Sequence, residues 1–124
     1  IRISVSAARG LALSLGIPAI GVSSFEATAL AHIGPFTTSV AAPREQLYTQ
    51  LFSTEGPQAP RLVSAGEIDK NIPYIPCSAP LELAGQIAQI AAKRAGTPQP
   101  RPAPLYIKAA DAAPSRDPAP TLLA

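Results

Sequence analysis

The chain has no methionine, a single cysteine, a single histidine and few aromatic residues, only 5% of its 124 positions. An intact translation product normally opens with Met, whereas this sequence opens on Ile1-Arg2-Ile3-Ser4-Val5, already inside a periodic apolar pattern. The expectation is a fragment that has lost its amino-terminal part. The lone Cys77 excludes an internal disulfide and any CxxC redox or zinc motif. It reads as a small apolar residue rather than a nucleophile. No run approaches the roughly 18 apolar residues of a membrane span, so no membrane association is expected and the compartment reads as a reducing cytoplasm. Net charge is +2. The basic residues are scattered, with Lys93-Arg94 the only adjacent pair, so no clustered nucleic-acid face is indicated.

What is present is apolar: 47% of residues are hydrophobic. With so few aromatics, the core is expected to be thin and built mainly from Ala, Leu, Ile and Val. Val5, Ala8, Ala12 and Leu15 form one stripe of a helix over residues 1–15. Gly10 inside it suggests a close packing contact, Gly16 supplies a left-handed cap and Pro18 blocks continuation. Residues 19–22 read as a short buried strand. Ser23 reads as an N-cap, with Glu26 at capping-box spacing, for a helix over 25–33 carrying Phe25, Ala29, Leu30 and Ile33. The order helix–strand–helix argues for an α/β layer architecture.

Residues 37–41 and 46–53 alternate as two strands, and Pro43-Arg44-Glu45 turns them into an antiparallel hairpin. Residues 56–60 read as a loop and 61–63 as another short strand. Ser64 and Glu67 have capping-box spacing for a helix over 65–70. Pro73, Pro76 and Pro80 make 71–80 irregular or edge-like. Leu81 to Arg94 is a helix with Leu83, Ile87, Ile90 and Ala91 on one face, Lys93-Arg94 complementing its dipole and Gly96 as cap. Pro98, Pro100, Pro102 and Pro104 mark an extended connection to a short strand over 105–108. Residues 109–124 read as a poorly ordered tail.

Chemistry-bearing motifs are sparse. Neither GxxxxGK[ST] nor GxGxxG is present. His32 has no second imidazole to share a metal with. Ser23 and Ser24 sit in no GxSxG elbow. Glu26, Glu45, Glu67, Asp69 and Glu82 are spread over separate elements and offer no general acid–base pair. No cofactor, no metal ligand and no complete catalytic site is read from the residues.

The segment Arg2-Ile3-Ser4-Val5-Ser6-Ala7-Ala8-Arg9-Gly10-Leu11-Ala12-Leu13, continued by Gly16-Ile17-Pro18-Ala19-Ile20-Gly21-Val22-Ser23-Ser24-Phe25-Glu26-Ala27, resembles the TsaB (YeaZ) family pattern RIGxxxAKGLAxxLGIPxxGVSSLEAL. Gln46 to Phe52 is similar to that family's second hairpin strand. Pro104 to Ala112 is similar to its terminal PxYLRxPDA segment. The likeness covers most of the chain, strongly at residues 1–27 and 104–112. It implies an actin-like (ASKHA, ribonuclease H-like) α/β fold of two related lobes. Residues 1–33 would be the remainder of the amino-terminal lobe, most of it and its GPGSFTG loop lying before Ile1, and residues 34–108 the carboxy-terminal lobe. Departures are Ala41, where the family has an Asp, and a shortened stretch between Ile68 and Leu81.

The resemblance further implies a non-catalytic partner subunit for threonylcarbamoyladenosine modification of tRNA, at the adenosine next to the anticodon. Its partners would be a TsaD-type transferase and a TsaE-type ATPase, with a homodimer as another assembly and tRNA reached only through the complex. The related TsaD enzyme uses an HxxxH metal motif, and the corresponding positions here hold Ser24 and Thr28. The expectation is therefore of a chain that is not itself an enzyme. Its alternatives are a metal-dependent threonylcarbamoyl transferase or glycoprotease-like peptidase of the same superfamily and, more distantly, a sugar-kinase-like ATPase. Ser4, Ala8, Arg9 and Ala12 give the first helix a small-residue face, read either as the partner-facing surface or as packing against the sheet.

Overall fold

In a computed structural model the structure describes residues 1–108. The tail over 109–124 and the end of the terminal motif lie outside the described residues. The mixed α/β class expected from the sequence is observed.

Helix α1 spans Arg2–Leu15. Gly16 at φ 65° closes it, with Gly16 N–H on the Leu13 carbonyl at 3.3 Å and Ile17 N–H on the Ala12 carbonyl at 3.0 Å. This double closure needs a left-handed residue, which glycine adopts without a Cβ penalty. On α1 only Ala12 is buried. Gly10 makes no close contact, because nothing lies within 4 Å of the Cβ position it lacks. Residues 19–22 form no strand. A Cβ at Gly21 would lie 3.3 Å from Pro102, so the neighbouring chain is the proline-rich strap. Proline has no N–H to donate, and a ladder cannot form along it.

Helix α2 is shorter than expected, Ser24–Ala29, capped by Ser23 accepting from Glu26 N–H at 3.1 Å. Residues 30–32 continue only as a tight turn, with Leu30, Ala31 and His32 N–H groups bonded three residues back. Gly34 at φ 91° and Pro35 then redirect the chain.

Strands β1 (Phe36–Ala42) and β2 (Gln46–Ser53) form the expected hairpin, with Phe36 opposite Phe52 and Ala42 opposite Gln46. Arg44 and Glu45 take φ 62° and 54° to make the turn, a region non-glycine residues occupy at a cost. The expected loop after β2 includes a short strand β3, Gly56–Pro57, paired with Phe52 and Ser53. Strand β4 (Arg61–Ser64) pairs antiparallel with β2 along Gln46–Thr49. The helix expected over 65–70 is a single 3-10 turn, Ala65–Glu67, where Glu67 accepts from Ser64 N–H at 2.8 Å. Strand β5 (Tyr74–Pro76) lies parallel to β1 at the edge, where proline is tolerated. The five-stranded sheet therefore runs β3-β2-β1-β5, with β4 also on β2.

Helix α3 spans Pro80–Arg94 and packs with α2. Pro80 occupies its first turn, where a missing N–H costs nothing. Its end differs from the expected glycine cap: Ala95 is right-handed, and both Thr97 N–H and Thr97 Oγ1 bond the Arg94 carbonyl at 3.0 Å. The residues leading to Pro98 thus stop the helix without Gly96. Residues 105–108, expected as a strand, are irregular. Tyr106 meets α1 instead: Arg2 Nε donates to its hydroxyl at 2.5 Å and the guanidinium lies 5.4 Å from the ring centre.

The core is thin, as expected, but of different make-up. Phe25, Ala27, Phe36, Val63 and Ile90 are joined by fully buried Thr28, Thr38 and Thr49, and no leucine is among the buried residues described. Thr38 and Thr49 hydroxyls donate to the Gln50 and Arg61 carbonyls, which makes their burial tolerable. No helix of the described residues is long and apolar enough to cross a membrane.

Candidate functional site

Ser23-Ser24 precedes α2, and α2 carries its own chemistry inward. The Ser23 hydroxyl is committed to capping. Glu26 sits at capping-box spacing, but its carboxylate instead takes both guanidinium nitrogens of Arg94, with Nη1 to Oε2 at 3.3 Å. That ion pair ties α2 to α3 across 68 positions of sequence. Arg94 therefore binds a specific carboxylate as well as lying at a helix C-terminus.

Thr28, one turn beyond Ser24, is wholly buried. Its Oγ1 accepts from Ser78 N–H at 3.0 Å, and its hydroxyl also bonds the half-buried Cys77 side chain. Burial pushes the Cys77 thiol above its ordinary pKa, and the Thr28 bond pulls more weakly the other way. A raised thiol is protonated near neutral pH, which agrees with a packing role and not with a nucleophile. His32 lies beyond the end of α2, its ring 5.5 Å from that of Phe36.

These positions do not fit a metal ion. Ser24 and Thr28 offer neutral hydroxyls, and the Thr28 oxygen is already engaged by Ser78. Among the described residues, no group of three His, Cys, Asp or Glu side chains is gathered that could hold one. The scattered carboxylates remain apart, and Glu26 is spent on Arg94.

The residues expected at a partner surface divide. Ser4, Ala8 and Arg9 are exposed on α1, whereas Ala12 is 7% exposed and faces inward. Around them α1 leaves large apolar side chains in solvent: Ile3 at 86%, Leu13 at 84% and Leu15 at 67%. Sequence reasoning had placed Leu15 on the packed stripe and did not single out Ile3 or Leu13.

A further feature escaped sequence reasoning. Between the carboxy-terminal half of α1, residues 17–19 and the strap over 97–102 lies a cleft of about 500 Å³. Arg9 and Arg101, 92 positions apart, both line it. The signal available in the sequence was a basic residue within the proline-rich run, but nothing in the pattern placed it beside α1.

The model of one family, described as TsaD: tRNA N6-adenosine threonylcarbamoyltransferase, matches residues 1–102. No curated protein and no solved structure matches the chain. The match supports the broader TsaD/glycoprotease superfamily rather than the TsaB family in particular. It also corrects the expectation of a chain that is not an enzyme, since the matching family is that of the transferase itself. That expectation rested on the TsaB family pattern, on Ser24 and Thr28 at the HxxxH positions, and on the absence of catalytic and phosphate-binding motifs from the sequence. The strong likeness over residues 1–27 falls on α1, its Gly16 closure, the connection through Val22 and the start of α2.

Proposed function

The chain belongs to the TsaD family of tRNA N6-adenosine threonylcarbamoyltransferases, and on that premise we propose that it acts in threonylcarbamoyl transfer to adenosine in tRNA. The observation that carries the proposal is the extent of the match, residues 1–102, which takes in every element from α1 to α3. In such a transfer the N6 amine attacks the carbonyl carbon of an activated threonylcarbamoyl donor. The donor's leaving group departs with the bonding electrons, and N6 gives up one proton. The described residues contribute the α2–sheet–α3 layer, held by the Glu26–Arg94 pair and the Thr28–Ser78 bond. An actin-like (ASKHA) framework is part of the proposal, supported by the mixed sheet with parallel β1 and β5.

A second reading concerns the branch of the superfamily and is favoured by Ser24 and Thr28 at the metal-motif positions. In the TsaB-type branch this chain pairs with a TsaD-type transferase through α1, whose exposed Ile3 and Leu13 support such a surface. A TsaE-type ATPase joins that assembly, and tRNA is reached through the complex.

One reconstitution separates the readings. The purified protein is incubated with tRNA and activated donor, alone and with a TsaD-type transferase, and the nucleosides are measured by mass spectrometry. Threonylcarbamoyladenosine from the chain alone supports the transferase reading. Product that needs both proteins supports the pairing. If adding this chain changes nothing in either mixture, both readings fall.

A further inference from the structure

The cleft between α1 and the proline-rich strap brings together two basic residues far apart in sequence. Arg9 comes from the helix and Arg101 from the strap, and both residues line the same space of about 500 Å³. Among the described residues, no carboxylate lines it. Among the described residues neither arginine has an ion-pair partner, whereas Arg94 is fully engaged by Glu26. Two like charges brought to one concavity repel each other until an anion sits between them.

The walls explain why the space stays open. Gly10 presents no side chain to it, and nothing lies within 4 Å of its missing Cβ. The alternate prolines hold the strap extended, so it cannot collapse onto the helix. At the rim Gln99 Nε2 donates to Thr97 Oγ1 at 2.8 Å, and Thr97 Oγ1 in turn donates to the Arg94 carbonyl at 3.0 Å, which ties the start of the strap to the end of α3. Leu13 and Ile17 add apolar side chains to the lining, both largely open to solvent. The carboxy-terminal end of α1 would oppose an anion. Its Ala12 and Leu13 carbonyls are already bonded by Ile17 and Gly16 N–H groups, which blunts that opposition.

We infer that this cleft is a phosphate-binding site in which Arg9 and Arg101 hold one phosphate group from opposite walls. Guanidinium pairs suit a phosphate because their planar N–H forks match its oxygens two at a time. The phosphate is either free in solution or part of an RNA backbone, and the second source rests on the tRNA reading proposed above.

The test titrates the full protein with inorganic phosphate by calorimetry and, separately, with labelled tRNA by fluorescence anisotropy. Arg9→Gln and Arg101→Gln are each expected to weaken phosphate binding about three- to tenfold, as loss of one charge-assisted contact at a solvent-open site does. Gly10→Leu fills the cleft, keeps every charge and favours the helix, so it abolishes binding in a protein that remains folded. Arg44→Gln, which removes one positive charge at the distant hairpin turn, leaves binding unchanged. If these variants weaken tRNA binding in parallel, the phosphate is one carried by RNA; if only inorganic phosphate responds, it is a free anion. Equal loss in Arg44→Gln and Arg9→Gln, retained binding in Gly10→Leu, or no phosphate binding at all overturns the site. Transfer activity in the reconstitution is read independently, so failure of the site with transfer intact leaves the functional reading standing.

Discussion

Replacing Thr28 by Val removes one hydroxyl at nearly constant volume from a side chain that is 0% exposed. Two contacts go with it: the 3.0 Å bond from Ser78 N–H and the bond to the Cys77 side chain. Among the described residues Ser78 N–H has no other acceptor, so the variant leaves a part-buried donor without its partner. An unsatisfied buried donor costs about 1–3 kcal/mol. For a domain of this size each kcal/mol moves Tm by roughly 4–8 °C. Thr28→Ser keeps the hydroxyl and loses one methyl, about 1 kcal/mol from transfer and cavity terms. The reasoning therefore predicts Val to be clearly less stable than Ser. Urea denaturation followed by circular dichroism measures both, and a lowered midpoint with unchanged slope assigns the effect to stability. If Val matches the parent protein while Ser is destabilised, Thr28 is a packing residue and its hydroxyl carries no structural role.

The Glu26–Arg94 pair has both side chains about one-third exposed, 34% and 35%, so a double-mutant cycle with Glu26→Gln and Arg94→Gln should give a coupling of only about 0.5–1 kcal/mol. That coupling should shrink in 1 M salt, where screening extends to roughly 3 Å; a salt-independent value would contradict the ion-pair description. At the β1–β2 turn, Glu45 holds φ 54° without being glycine, and Glu45→Gly should raise stability by about 0.5–1 kcal/mol, read from the urea midpoint. Cys77 has a raised pKa in the fold, so its contribution is complete below the ordinary thiol pKa of about 8.5 and is lost as pH climbs through the folded value. Thiol-labelling rates should accordingly rise at higher pH in the native protein than in urea, and coincident profiles would refute the burial effect.

Much of the chain was legible because local rules and tertiary structure agree there. The Leu47–Phe52 alternation and the Pro43-Arg44-Glu45 turn made the hairpin readable, and Gly16 followed by Pro18 fixed the end of α1. Leu83, Ile87, Ile90 and Ala91 marked the face of α3 that turns inward. The misread segments depend on neighbours distant in sequence. Residues 19–22 look like a strand, but Pro102 lies beside them and offers no ladder donor. Residues 105–108 look like a strand, but Tyr106 is drawn to Arg2. Threonine burial was invisible to a hydrophobic pattern, since it rests on carbonyl partners such as those of Gln50 and Arg61. At the site, Ser24 and Thr28 were legible as poor metal ligands. The convergence of Arg9 and Arg101 was not, because it depends on how the strap returns to α1. The family-level reading of tRNA modification was accessible from residues 1–27, whereas the distinction between transferase and accessory relative turned on too few positions to be decided there.

The most direct test of the central claim is made on cellular tRNA. Depleting this protein in its own organism, then restoring it, allows threonylcarbamoyladenosine to be measured by mass spectrometry of digested tRNA. The account predicts that the modified nucleoside falls as the chain is depleted and returns on restoration. An unchanged level through depletion would contradict a role in threonylcarbamoyl transfer.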